Sequence, residues 1–147
     1  MTDYLFHLDL PPLTKKTSQG IGLNTKTGKR FVMSSPGQKS YQKFASQVLS
    51  LQALSQGLDL PIDVPVQVTA IFWLDADRPA DITNLEQMLG DCLQGGSVIL
   101  NDALIHSWDG SRKGVSYSRP RTEITVRLYE GLPLREGEPK GDARRKA

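Results

Sequence analysis

Nine residues near the middle of the chain leave it little conformational choice. Val66, Val68, Ala70, Phe72 and Leu74 alternate with Gln67, Thr69, Ile71 and Trp73. A period of two puts the first set on one face of a strand and the second set on the other. Pro65, which cannot donate to a sheet ladder, stands at the start of the run, where a strand tolerates it. The same alternation recurs at Tyr4, Phe6, Leu8 and Leu10, closed by Pro11-Pro12, and again at Thr122, Ile124, Val126 and Leu128. A chain with three such runs must build a sheet and cover one side of it.

The cover is legible as two helices. Tyr41, Phe44, Ala45, Val48 and Leu51 recur at helical spacing between Ser40 and Gln56, before Gly57. Leu85, Met88, Leu89, Cys92 and Leu93 make a second stripe between Thr83 and Gln94, ended by Gly95-Gly96. Val98–Leu100 and Ala103–Trp108 read as extended chain broken by the polar pair Asn101-Asp102. Leu13 to Gln38, with Gly20, Gly22, Gly28 and Gly37 and no sustained period, reads as a long basic loop. The expected fold is therefore a small mixed sheet packed by two helices, of the α+β (α/β) class. A single domain is expected over residues 1–130, followed by a disordered charged tail at 131–147.

With 147 residues and a single cysteine, a disulfide framework is excluded, and a Cys-rich zinc site is implausible within one chain. No apolar run approaches the roughly 20 residues that span a bilayer, and the N-terminus lacks the pattern of a signal peptide. The expected location is cytoplasmic.

A net charge of +2 conceals a strong segregation. Residues 10–58 hold Lys15, Lys16, Lys26, Lys29, Arg30, Lys39 and Lys43 and no acid. Residues 59–109 hold Asp59, Asp63, Asp75, Asp77, Asp81, Glu86, Asp91, Asp102 and Asp109 against Arg78 alone. Residues 110–130 turn basic again through Arg112, Lys113, Arg119, Arg121 and Arg127. Carboxylates at the ends of strands and helices, as at Asp81 and Asp102, are a usual way to hold Mg²⁺, a hard cation that takes oxygen ligands. Basic segments on either side attract the phosphates of a nucleic acid. The combination points to metal-dependent phosphodiester chemistry.

The run Arg78-Pro79-Ala80-Asp81-Ile82-Thr83-Asn84-Leu85-Glu86-Gln87, followed by Asp91-Cys92-Leu93 and Asn101-Asp102, resembles the RusA family of Holliday-junction resolvases. In that family an Asp-x-Asp-Asn-Leu-x-Lys segment opens a helix, and an Asp-Asp pair follows about 20 residues later, one helix and a short connection away. Pro11-Pro12, Thr14-Lys15-Lys16 and the helix led by Tyr41 are similar too, so the likeness runs from about Leu5 to Leu128.

The resemblance implies a Mg²⁺-dependent (alternatively Mn²⁺-dependent) homodimeric endonuclease, often prophage-encoded, that resolves four-way DNA junctions by paired symmetric nicks in recombination and repair. It implies Asp81 and Asp102 as metal ligands, with Thr83 and Gln87 completing the catalytic set; the Thr83 hydroxyl, or Glu86 as a substitute carboxylate from the same first turn, is expected to assist in holding the metal. Lys15, Lys16, Lys26, Lys29, Arg30, Arg112 and Lys113 are the candidate DNA contacts, although Arg112 and Lys113 read equally well as the exposed face of a hairpin.

Three positions depart from the family pattern. Thr83 replaces an Asp, Gln87 replaces the Lys, and Asn101 replaces the first Asp of the pair. Thr83 and Glu86 form a T-x-x-E capping box, so Thr83 is expected to cap the helix as an Asp would. The substitutions leave an alternative open: a catalytically impaired protein that binds branched DNA without cutting it. His7, His106 and Cys92 read as structural, and Trp73 and Trp108 as packing residues.

Overall fold

The computed structural model describes residues 3–14, 19–23, 30–34, 36–77, 79–129 and 134–140, with side chains described for all of these except 19–23, 30–34 and 36. Strands β1 (Tyr4–Leu8), β2 (Gln19–Leu23) and β3 (Arg30–Ser34) precede helix α1 (Pro36–Ser55) and strand β4 (Val66–Leu74). Helix α2 (Ile82–Gly95) follows, then a 3₁₀ turn at Asp102–Leu104 and strands β5 (Ile105–Ser107), β6 (Arg112–Val115) and β7 (Arg121–Leu128). The α+β expectation holds: among the described residues a mixed sheet of five strands is packed by two helices.

β7 lies between β1 and β4 and is antiparallel to both, with Phe6 opposite Ile124 and Ala70 opposite Ile124 from the other side. The far side of β4 is shared by two short parallel strands. β5 runs beside its start and β6 beside its end, where Phe72 faces Lys113. Between them the turn at Asp109–Ser111 closes the gap with side chains: Ser111 Oγ accepts from the Ala70 N–H at 3.0 Å, and Thr69 Oγ1 donates to the Asp109 carbonyl at 2.8 Å. Gly110 adopts φ +83°, a conformation that other residues resist.

The alternation read from the sequence is the alternation observed. Phe6, Leu8, Val66, Val68, Ala70, Phe72, Leu74, Ile124 and Val126 are buried on one face of the sheet. Tyr41, Ala45, Leu49 and Ala53 of α1 and Leu85, Met88, Leu89, Cys92 and Leu93 of α2 close over that face. α1 comes close to the end of α2 at the Gly95-Gly96 pair, where a side chain on Gly96 would collide with the Ser46 carbonyl.

Two glutamines finish the edge of the sheet. Gln56 accepts from Leu5 N–H at 2.9 Å and donates to Leu5 C=O at 2.8 Å, while Gln52 makes the same pair of bonds, each 2.9 Å, to His7. One in the last turn of α1 and the other just past its end, their amides complete the outward backbone groups of β1 as a neighbouring strand would.

One expectation fails here. Residues 19–34 were expected to lie in a loop without regular structure, but β2 and β3 form an antiparallel hairpin with Ile21 opposite Val32. Gly20 and Gly22 leave alternate positions without side chains, which removes the apolar period by which a strand is recognised. Of the expected tail, residues 134–140 form neither helix nor strand.

Candidate active site

The site grows from the start of α2. Asp81 has extended dihedrals (φ −75°, ψ 120°), and its Oδ1 accepts from the Thr83 N–H at 2.9 Å. Asp81 is therefore the N-cap, and the cap expected at Thr83 is displaced by two residues. The chain meets Asp81 first, Asp is at least as good a cap as Thr, and helical dihedrals already hold from Ile82 onward. Thr83 is left in the first turn, with its hydroxyl released from capping.

Thr83, Glu86, Gln87 and Gly90 then follow at i, i+3, i+4 and i+7, the spacing of one helix face. This face forms one wall of a cleft of about 270 Å³ whose other wall is Asp102, Ile105 and Trp108. At Gly90 the two walls face each other: a methyl group there would stand 3.7 Å from Asp102 Cβ and 3.8 Å from Ile105 Cδ1, in ordinary contact with both. Asp102 is held through its backbone. Its N–H donates to Gln94 Oε1 at 2.9 Å, and the 3₁₀ turn it opens is capped by Asn101, whose side chain accepts from Ala103 N–H at 2.8 Å. Asn101 in place of an Asp thus preserves the turn, Asn and Asp being equivalent caps.

Four of the expected residues, Thr83, Glu86, Gln87 and Asp102, therefore share one cleft. Asp81 does not line it but sits at its helical end. Burial, and then the charge of Asp81, push Glu86 above its ordinary pKa. A carboxylate held above its ordinary pKa beside a second negative charge is relieved by a cation close to it.

Among the described residues no three His, Cys, Asp or Glu side chains converge as a metal cage. The cleft offers two carboxylates, a hydroxyl and an amide oxygen, a donor set that fits Mg²⁺ where phosphate oxygens and water complete its shell.

Lys113 was expected at a DNA-binding rim. Its ammonium instead donates to the Ala80 carbonyl at 2.7 Å, one residue before the cap. β6 thereby pins the segment that delivers Asp81 to α2. Neither this bond nor the Gln94–Asp102 bond carries a sequence signal, because a lysine and a glutamine in search of backbone partners look like any surface residues.

Of the other expected DNA contacts, Arg112 is exposed on β6 and Arg30 begins β3. Lys15, Lys16, Lys26 and Lys29 lie outside the described residues. Arg121 is committed to the fold: its guanidinium lies 4.9 Å over the Trp73 ring and donates to the Arg119 carbonyl at 3.0 Å. Trp73 also donates its indole N–H to Glu123 at 2.8 Å and packs against Gly114, which fits the packing role read for it. His106 stacks obliquely on Tyr129, and burial pushes the Cys92 thiol up to about 12, as a structural histidine and a core cysteine require.

The order of these parts along the chain now meets a family pattern. The family model of endodeoxyribonuclease RusA matches residues 12–127. The chain belongs to the RusA family. No curated protein matches it closely enough to add a nearer relative. The match spans β2 to β7 and includes the whole cleft, so the RusA core is present together with the departures at Thr83, Gln87 and Asn101. No helix among the described residues is long and apolar enough to cross a membrane.

Proposed function

We propose that this RusA-family protein is a divalent-metal-dependent endonuclease that resolves four-way DNA junctions by paired symmetric nicks, acting as a homodimer. The observation that carries this reading is the cleft in which Thr83, Gln87 and Asp102, at positions of the family motif on two separate segments, meet together with Glu86. Asp102 and Glu86, with Asp81 at the helix end and the Thr83 hydroxyl, would hold Mg²⁺ or Mn²⁺. When bound, the ion would polarise a non-bridging phosphate oxygen and lower the pKa of a water positioned for in-line attack.

The chain's own residues do the rest. The Gln87 amide donates a hydrogen bond to a phosphate oxygen, and the Trp108 and Ile105 side chains wall one side of the cleft against solvent. Arg112, Arg30 and the lysines of residues 15–29 would hold the DNA backbone. A molecular two-fold would present two clefts to the two-fold-symmetric junction.

The test is a labelled synthetic four-way junction incubated with Mg²⁺ or with EDTA. Symmetric nicks that require the metal and disappear in Asp102→Asn support the reading. Failure to bind or cut junction, duplex or flap DNA ends it. One observation favours a second reading, a junction binder with an impaired site: Gln87 carries no charge where phosphoryl transfer gains most from one, a loss worth about 10²–10³ in rate. Tight binding without cleavage, with cutting restored by Thr83→Asp plus Gln87→Lys, decides for it.

A further inference from the structure

The turn between β6 and β7, residues 116–120, holds out a ring that the fold does not use. Tyr117 is 78% exposed, more than any other Phe, Tyr or Trp side chain among the described residues. No hydrogen bond or ring contact among those residues engages it. Its backbone is nonetheless firmly placed. The Ser116 N–H donates to the Leu74 carbonyl at 2.8 Å, continuing the pairing of β6 with the end of β4. Ser116 Oγ accepts from the Arg119 N–H at 3.1 Å and closes the turn, and the Arg119 carbonyl accepts from the Arg121 guanidinium, itself fixed over Trp73. Pro120 locks one more backbone angle. Little ordering entropy is therefore lost in this turn when a flat partner covers the ring.

The ring is also tied to the cleft. Lys113, four residues earlier, holds the Ala80 carbonyl next to Asp81. Four residues of extended chain reach at most about 14 Å, which is about four nucleotide steps along one strand of DNA. Arg112 before the ring and Arg119 after it are both exposed and supply charge for a sugar-phosphate backbone on either side. Tyr117 itself has no charge to offer a phosphate. It offers a flat π-face, and the group of a nucleic acid that fits one is an unstacked base. Inside a continuous duplex each base is already covered on both faces, whereas a face comes free where strands part.

We propose that Tyr117 stacks on a base that has lost its neighbour at the branch point of a branched DNA, and so favours branched over continuous duplex DNA. The proposal rests on the reading of the protein as a junction binder, whether or not its cleft cuts.

Fluorescence anisotropy with the full chain, on a labelled four-way junction and on a duplex of the same arm sequence, both in EDTA so that nothing is cut, reads the outcome. Tyr117→Ala, at an exposed position and with unchanged circular dichroism, should weaken junction binding about ten-fold, the loss of one stacked base, and leave duplex binding as it was. Tyr117→Phe, which keeps the ring, should bind the junction like the wild type, and Tyr117→Leu, which keeps only apolar bulk, should bind it like Tyr117→Ala. The slope of log affinity against log salt should be the same in Tyr117→Ala as in the wild type, because no phosphate contact is removed. Unchanged junction affinity in Tyr117→Ala, an equal loss on the duplex, a smaller salt slope, or a Tyr117→Leu protein that binds like the wild type each overturns the proposal. In the first of these a wild type that still binds the junction keeps the nuclease reading standing. A wild type that binds no DNA removes that reading and this proposal with it.

Discussion

Glu86 carries a conflict that a single substitution exposes. Its carboxyl is raised by burial and by Asp81, so its ionised form is held at a cost in the folded chain. The sign follows from linkage. An acid whose folded pKa is raised destabilises the fold above that pKa, and the penalty disappears as pH falls through it toward the unfolded value. Glu86→Gln is therefore expected to raise Tm in EDTA near neutral pH and to weaken the additional stabilisation conferred by Mg²⁺. Thermal melts with and without the metal, at two pH values, show both effects or neither. Lys113 makes the opposite kind of bond, a charge-assisted one to the Ala80 carbonyl. Lys113→Met should cost about 1.5 kcal/mol in a urea titration, the lower end of the range for hydrogen bonds to charged groups, and Lys113→Arg should recover part of it.

At the scale of elements, α2 tests the assignment of its cap. Asp81→Ala should destabilise the protein by about 1 kcal/mol, while Asp81→Asn, which caps equally well, should leave stability nearly intact. Thr83→Ala should cost far less than Asp81→Ala in the same denaturant midpoints. If the two costs are reversed, the capping box read from T-x-x-E is correct after all. The helix itself was plain in the sequence: Leu85, Met88, Leu89, Cys92 and Leu93 were expected on its core face and all are buried. β1, β4 and β7 were equally plain, because one buried face imposes a period of two. The β2–β3 hairpin was hidden by its glycines. Only β5 falls within the extended chain expected at Ala103–Trp108; β6, touched only by the hairpin face considered for Arg112 and Lys113, was not read as a separate strand, since the break at Asp109–Ser111 is held by side chains and not by a ladder. The cleft residues became legible only through the order of a motif. Thr83, Glu86 and Gln87 share a helix face by simple spacing, but nothing local says that Asp102 comes to rest across from Gly90. That placement depends on the length of α2 and on the Asp102 N–H bond to Gln94, neither of which a local pattern reveals.

Over the whole molecule, the sheet's other face carries a titration of its own. Glu123 is held below its ordinary pKa chiefly by the Trp73 indole N–H, against the opposing effect of burial, with smaller contributions from Arg121 and Arg119. A depressed acid contributes stability above its unfolded pKa and loses it as pH falls through the folded one. Acidification below the usual glutamate range should therefore both lower stability and shift the fluorescence of Trp73, while Glu123→Gln flattens the spectral change. Trp73 lies on β4 opposite Arg121 of β7, so the signal comes from the centre of the sheet.

The two glutamines that finish β1 have a kinetic meaning as well. In an antiparallel pair alternate N–H groups point to opposite sides, so those of Tyr4, Phe6 and Leu8 turn toward β7 while those of Leu5 and His7 rest on Gln56 and Gln52. Hydrogen exchange at Phe6 should then follow the opening of the sheet, and exchange at Leu5 and His7 the fraying of α1. Gln52→Ala should accelerate His7 alone. One short strand thus keeps two clocks, and neighbouring amides record the separate lifetimes of a helix and a sheet.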